Sequence, residues 1–222
     1  MCFSATASFS AAIVMAGVGV ATLKICRSPQ ERFLGVVPFL FALQQLSEAF
    51  VWLSIRHSEW YPYQQLFTLS FLFFAWVVWP ILIPLAFYRL EPLPQRHKSM
   101  RMLIGLGILS ASYAFFNMLL KDPKPTVATF HIIYEVKPIY LHRVFFYPHQ
   151  AFYTMATVLP MFLSSLKDVK LLALANFIAL ILCFMFFQYA LPSTWCFFAA
   201  FISGLIYWII RQHQKQSATL RH

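Results

Sequence analysis

Apolar runs of about 20 residues, each long enough to cross a bilayer as a helix, recur along the chain with short polar punctuation between them. The spacing predicts seven spans: Ala5 to Leu23, Phe33 to Ile55, Gln64 to Tyr88, Met102 to Leu120, His149 to Leu166, Leu171 to Leu191 and Ser193 to Ile210. A soluble domain of this length would alternate buried and wetted faces, and these runs do not. The expected architecture is one all-α polytopic domain over residues 1–210, a seven-transmembrane-helix bundle, with a polar tail from Arg211 to His222 expected to be mobile.

Punctuation within the runs refines this picture. The opening segment MCFSATASFS offers Ser4 or Thr6 as a helix cap, and Ala12, Ala16 and Gly19 give the first helix a smooth face for close packing. Trp76, Trp79, Pro80 and Pro84 predict a bent or locally unwound third span. Gly105, Gly107, Ser110 and Ser112 form a small-residue face on the fourth, with Tyr113 and Asn117 beyond it. One long outer loop follows, Lys121 to Pro148, whose two β-rich runs separated by Lys137 and Pro138 suggest a hairpin or an interfacial segment folded over the bundle as a lid. Pro148 suits a first helical turn, which would put His149 at the start of the fifth helix, where the dipole favours the neutral imidazole. Pro192 turns the chain again, with Ser193 or Thr194 expected to cap the last helix and Cys196 to fall in its first turn.

Composition agrees: 60% of residues are hydrophobic and 11% charged, too apolar for one soluble core. The net charge of +10 raises the question of nucleic acid, but its placement answers it. Twelve of the 17 Lys and Arg residues fall in one set of loops and five in the other. That asymmetry puts the first set in the cytoplasm and the amino terminus outside. The basic charge is then a topology signal and a fringe for the lipid bilayer, with no nucleic-acid partner. No Lys or Arg precedes Lys24, so the first span lacks the basic leader of a signal peptide and is expected to be retained.

The second span carries the candidate chemistry, because Glu48 is the one ionisable residue the pattern places inside hydrocarbon. An ionised residue at mid-membrane costs about 3 kcal/mol, while the 13 Leu, Ile, Val and Phe residues of this span return about 4 to 8 kcal/mol. Insertion tolerates Glu48 and does not explain it. Gln44 lies four residues before it on one face with Ser47 beside them, a polar patch expected to look inward. A pocket of Glu48, Gln44, Ser47, His149 and Tyr153 would bind or pass a small solute, proton or cation. Cys2, Cys196, His149 and Glu48 could instead be ligands of a metal ion, the site of a membrane enzyme. Cys2 and Cys196 could equally form a disulfide, and an accessory subunit without its own chemistry is a third reading. The last span has no lysine for a retinal Schiff base, and there is no HExxH motif, nucleotide loop or Ser-His-Asp arrangement.

Three segments, MCFSATASF (Met1 to Phe9), QQLSEAFVW (Gln44 to Trp52) and WCFFAA (Trp195 to Ala200), resemble an uncharacterised bacterial family of small multi-pass membrane proteins. Ala49 stands where its members tend to have glycine. The resemblance implies a bacterial cytoplasmic (inner) membrane and brings no reaction, substrate or cofactor. It implies only that the stretches holding Cys2, Glu48 and Cys196 are what its members share.

Overall fold

The computed structural model describes residues 4–128, 131–135 and 142–219. Among these, six helical stretches are long and apolar enough to cross a membrane: Ala5–Ile25, Pro29–Arg56, Ser58–Leu90, Pro94–Lys121, Val169–Phe187 and Leu191–Lys215. The helix expected as a fifth span, α7 below, falls short of the same standard of apolarity, because its sequence includes two prolines, two histidines and Arg143.

Helix α1 (Ala5–Ile25) starts where Ser4 Oγ accepts from the Ala7 N–H at 3.2 Å, the expected cap. It packs along α3 (Val37–Arg56), and Gly19 is required there: a Cβ at that position would lie 2.7 Å from the Phe39 backbone. Between them α2 (Pro29–Gly35) is capped by Ser28 and begins with proline, and Pro38 in the first turn of α3 accounts for the break at Val36.

A 3₁₀ stretch, Ser58–Tyr63, leads into α4 (Gln64–Phe73), which passes through a π-helical turn, Phe74–Val78, into α5 (Trp79–Leu90). The irregularity expected from Pro80 thus takes the form of one wide turn just ahead of it. The Trp79 N–H reaches Phe74 O, and Pro80 has no N–H, so the Ala75 carbonyl is left without its helical donor.

Helix α6 (Pro94–Lys121) ends at Asp122, whose positive φ of 47° closes the helix. Strands β1 (Lys124–Ala128) and β2 (His131–Glu135) pair antiparallel, from Lys124 opposite Glu135 to Ala128 opposite His131. Both strands lie within the first of the two expected β-rich runs, and the expected break at Lys137 and Pro138 lies outside the described residues. Alternation sets which side faces inward: Ile132 and Tyr134 are buried, and Tyr134 stacks on Phe71 of α4 at 4.9 Å.

The expected second β-rich run is largely helical, because α7 (His142–Leu163) begins seven residues before His149 and carries Pro148 inside it. Helix α8 (Val169–Phe187) follows, then a 3₁₀ turn, α9 (Leu191–Ile202), a break at Ser203 and Gly204, and α10 (Leu205–Thr219). The segment 211–219, expected as a mobile tail, continues α10. Glu31 holds it there by accepting from Gln214 Nε2 at 2.9 Å and facing His213 Nδ1 at 3.3 Å, while also accepting from the Arg27 N–H at 2.7 Å.

The main core, toward the end opposite the hairpin, gathers Leu34, Phe41, Trp79, Phe87 and Met161. A second core, Trp52, Phe71, Leu72, Ile132 and Cys196, lies under the hairpin.

Candidate functional site

The expected site residues fall into two groups. The first is dry. Gln44, Gln45 and Glu48 on α3 are all fully buried, and Ser193 Oγ donates to Glu48 Oε1 at 2.6 Å, tying α3 to α9. Trp79 Nε1 donates to Gln44 Oε1 at 2.7 Å while its ring stacks on Phe41 at 3.9 Å. Cys196 is buried nearby as a free thiol, within reach of the Gln44 side chain and in the field of Glu48.

Three expectations change here. Ser47 is half-buried and donates back to Leu43 O at 3.0 Å, away from the patch. At about 100° per residue it sits a quarter turn from Glu48, whereas Gln45, three residues before, shares the glutamate's face. Ser193 bonds Glu48 and Thr194 donates to Ala190 O, so neither caps a helix. Cys196 is the sixth residue of α9, not in its first turn, because the helix starts at Leu191. Cys2, with its share of both the metal set and the disulfide, lies outside the described residues. Among the described residues no group of three His, Cys, Asp or Glu side chains is arranged to hold a metal ion.

The second group lines a cavity. His149 and Tyr153, one turn apart on α7, face a space of about 1140 Å³ between α6, α7, α8 and the first turns of α9, with Tyr134 of β2 at its edge. Glu48, Gln44 and Cys196 do not line it. Because His149 lies inside α7 and not at its start, the helix dipole no longer governs it. Its Nδ1 is hydrogen-bonded to Ser110 Oγ of α6 at 3.0 Å, which leaves Nε2 as the ring's second polar atom. Tyr113 lies against the imidazole with ring centroids 4.9 Å apart.

Tyr153 answers the defect in the α4–α5 pass, its hydroxyl donating to the Ala75 carbonyl at 2.6 Å. Pro80 therefore helps position the cavity wall: it frees a carbonyl, and Tyr153 is held by it. Trp195 meets the Tyr153 ring edge-on at 5.7 Å and donates from Nε1 to Asn176 Oδ1 at 3.2 Å. Tyr153 and Trp195 also border a narrow apolar crevice of about 50 Å³ deeper in the bundle, with Phe41, Trp79 and Met161.

Sequence reasoning missed Ser110, Tyr113, Asn117 and Trp195 as parts of this site. A signal was present: residues 110, 113 and 117 repeat at helical spacing, as do 149 and 153, and two polar stripes on consecutive long helices are expected to face each other. Among the described lining residues there is no Asp, Glu, Lys or Arg. These described groups can donate and accept hydrogen bonds and stack rings.

No curated protein and no solved structure matches the chain. The sequence does match one family along nearly its whole length, residues 1–221, and that family is the one the description calls a Family of unknown function (DUF6629). This helical protein, with six helices among its described residues long and apolar enough to cross a membrane, belongs to that family.

Proposed function

We propose that the protein binds a small uncharged solute in the cavity at the hairpin end of the bundle. The observation that carries this is the lining: polar groups from Tyr113, Asn117, His149 and Gln150 on one side, apolar side chains of α8 on the other, and no Asp, Glu, Lys or Arg among the described lining residues. At about 1140 Å³ the space is somewhat larger than the range of about 300–1,000 Å³ that holds drug-sized molecules. With no carboxylate among the described lining residues to compensate an ion's lost hydration, the walls favour an uncharged solute.

The cavity faces outward in this reading, with seven passes, the amino terminus outside and the basic loops in the cytoplasm of a bacterial inner membrane. A cysteine at Lys98 should then react with an impermeant maleimide only in opened cells, and one at Lys124 in intact spheroplasts. The reverse pattern would invert the topology.

Glu48 acts here as a tie between α3 and α9, behind the cavity wall that Leu191, Pro192 and Trp195 form. Binding is tested with 4-bromophenol, an uncharged amphipath whose bromine quenches tryptophan, added to the protein in nanodiscs. Trp76 and Trp195 line the cavity, so part of the emission should quench saturably. Thr154→Phe, which projects a ring into the space, should weaken the saturable part, while Glu48→Gln should keep it. Quenching that rises linearly, and equally in the Thr154→Phe variant, would end the proposal.

A further inference from the structure

We infer that the occupant of this cavity is a membrane-borne amphipath with a planar aromatic head and an apolar tail, entering sideways from the bilayer past α8. This rests on the binding proposed above and names its ligand class. Two features carry it.

The first is an aromatic ladder on one wall. Tyr113 and His149 are 4.9 Å apart, His149 and Tyr153 6.4 Å, and Tyr153 and Trp195 5.7 Å between ring centroids. All four rings line the same cavity. Rings in tilted and edge-on contact present both faces and edges to a guest, the arrangement in which another ring gains most from offset or T-shaped packing. Polar groups stand beside the ladder at its hairpin end, where a hydroxyl or carbonyl on the head would find Asn117, Gln150 and Gln188.

The second is the wall opposite. Ile181, Phe184 and Met185 of α8 line the cavity and are 41%, 63% and 65% exposed, on a helix apolar enough to cross a membrane. Side chains that belong to both the cavity and the lipid-facing surface make a mouth that opens into hydrocarbon. A solute arriving through that mouth must already be dissolved in the bilayer. The volume left once a ring occupies the ladder then suits a tail lying against α8.

Competition against 4-bromophenol in nanodiscs tests the class. The competitors are 4-decylphenol, which has ring and tail, phenol, which has the ring, and decanol, which has the tail. Concentrations are corrected for partition into empty nanodiscs. The corrected concentration of 4-decylphenol needed for half-displacement should be at least tenfold below those of phenol and decanol. Tyr113→Leu should weaken 4-decylphenol about tenfold, and Tyr113→Phe, which keeps the ring, should restore it. If phenol competes as well as 4-decylphenol, the tail and the lateral entry are refuted. If decanol does, the aromatic head is refuted. These results stand on wild-type protein even if a variant fails to fold, and absence of saturable 4-bromophenol quenching would instead sink the binding proposal beneath both.

Discussion

Replacing Gly107 by alanine perturbs the bundle where two prolines have left the backbone of α5 open. Pro84 has no N–H to offer the Pro80 carbonyl, and that carbonyl faces α6 at Gly107. A Cβ at Gly107 would sit 1.8 Å from Pro80 O, 2.7 Å from its carbonyl carbon and 3.3 Å from Ala156 Cβ. To reach even the 3.0 Å that Cβ atoms tolerate, α6 must back away from α5 by about 1.2 Å. The obstacle is backbone, so no side chain can swing aside. Overpacking of this kind costs about 1–3 kcal/mol, and the upper end applies here. Alanine returns up to about 1 kcal/mol of helix propensity, for a net loss of about 2 kcal/mol. On the scale of about 2–4 °C per kcal/mol for a chain of this size, the midpoint should fall by about 4–8 °C.

Gly105, two residues earlier, has open space around its Cβ position, so Gly105→Ala should leave the midpoint unchanged or slightly higher. The assay is heating in detergent followed by size-exclusion recovery of the folded species, with both variants side by side. Ser110 lies less than one turn beyond Gly107, so the same displacement should loosen the Ser110–His149 bond and weaken 4-bromophenol binding. A Gly107→Ala protein as stable as wild type, or a Gly105→Ala protein equally damaged, would refute the close approach of α5 and α6.

Three further outcomes follow from the geometry. Tyr153→Phe removes the donor that satisfies Ala75 O beside the π turn and should cost about 1–3 kcal/mol in the same heating assay; an unchanged midpoint would mean that carbonyl has another donor. Burial pushes the Cys26 thiol up to about 11, so at pH 8 about one molecule in a thousand carries the thiolate, and maleimide should label this position far more slowly in folded than in unfolded protein. Since the folded value lies above the ordinary 9.0, the stability linked to Cys26 is full below pH 9 and declines as pH rises toward 11, which a pH series of midpoints on wild type and Cys26→Ala would reveal. Glu31→Ala removes the acceptor of Gln214 and should free α10 by about 2 kcal/mol, raising tryptic cleavage at Arg211 and Lys215 about 30-fold; unchanged cleavage would show the tail is held elsewhere.

The hydrophobic pattern alone was enough for the class of protein and for most of its helices, because each apolar run carries its own backbone hydrogen bonds and needs no distant partner to become a helix. Short-range chemistry was equally readable: Ser4 as a cap, the smooth face at Gly19, the irregular third span ahead of Pro80. Helix α7 was legible in part. Its sequence mixes Pro148, His149 and Gln150 with apolar residues, so its start was placed at the proline, and only the folded chain shows it beginning at His142. Glu48 was rightly turned inward, since a polar residue on an apolar helix has one favourable direction.

What lies opposite an inward side chain is a property of another helix, and no periodicity within one segment encodes it. Packing therefore decided that Glu48 meets Ser193 in a buried contact while His149, expected beside it, belongs to a separate cavity with Ser110 and Tyr113. It likewise decided that Glu31, an unremarked residue near a helix start, holds the last helix in place. Helices are determined by neighbours one turn away along the chain, but a site is made by side chains that only the arrangement of the helices brings together.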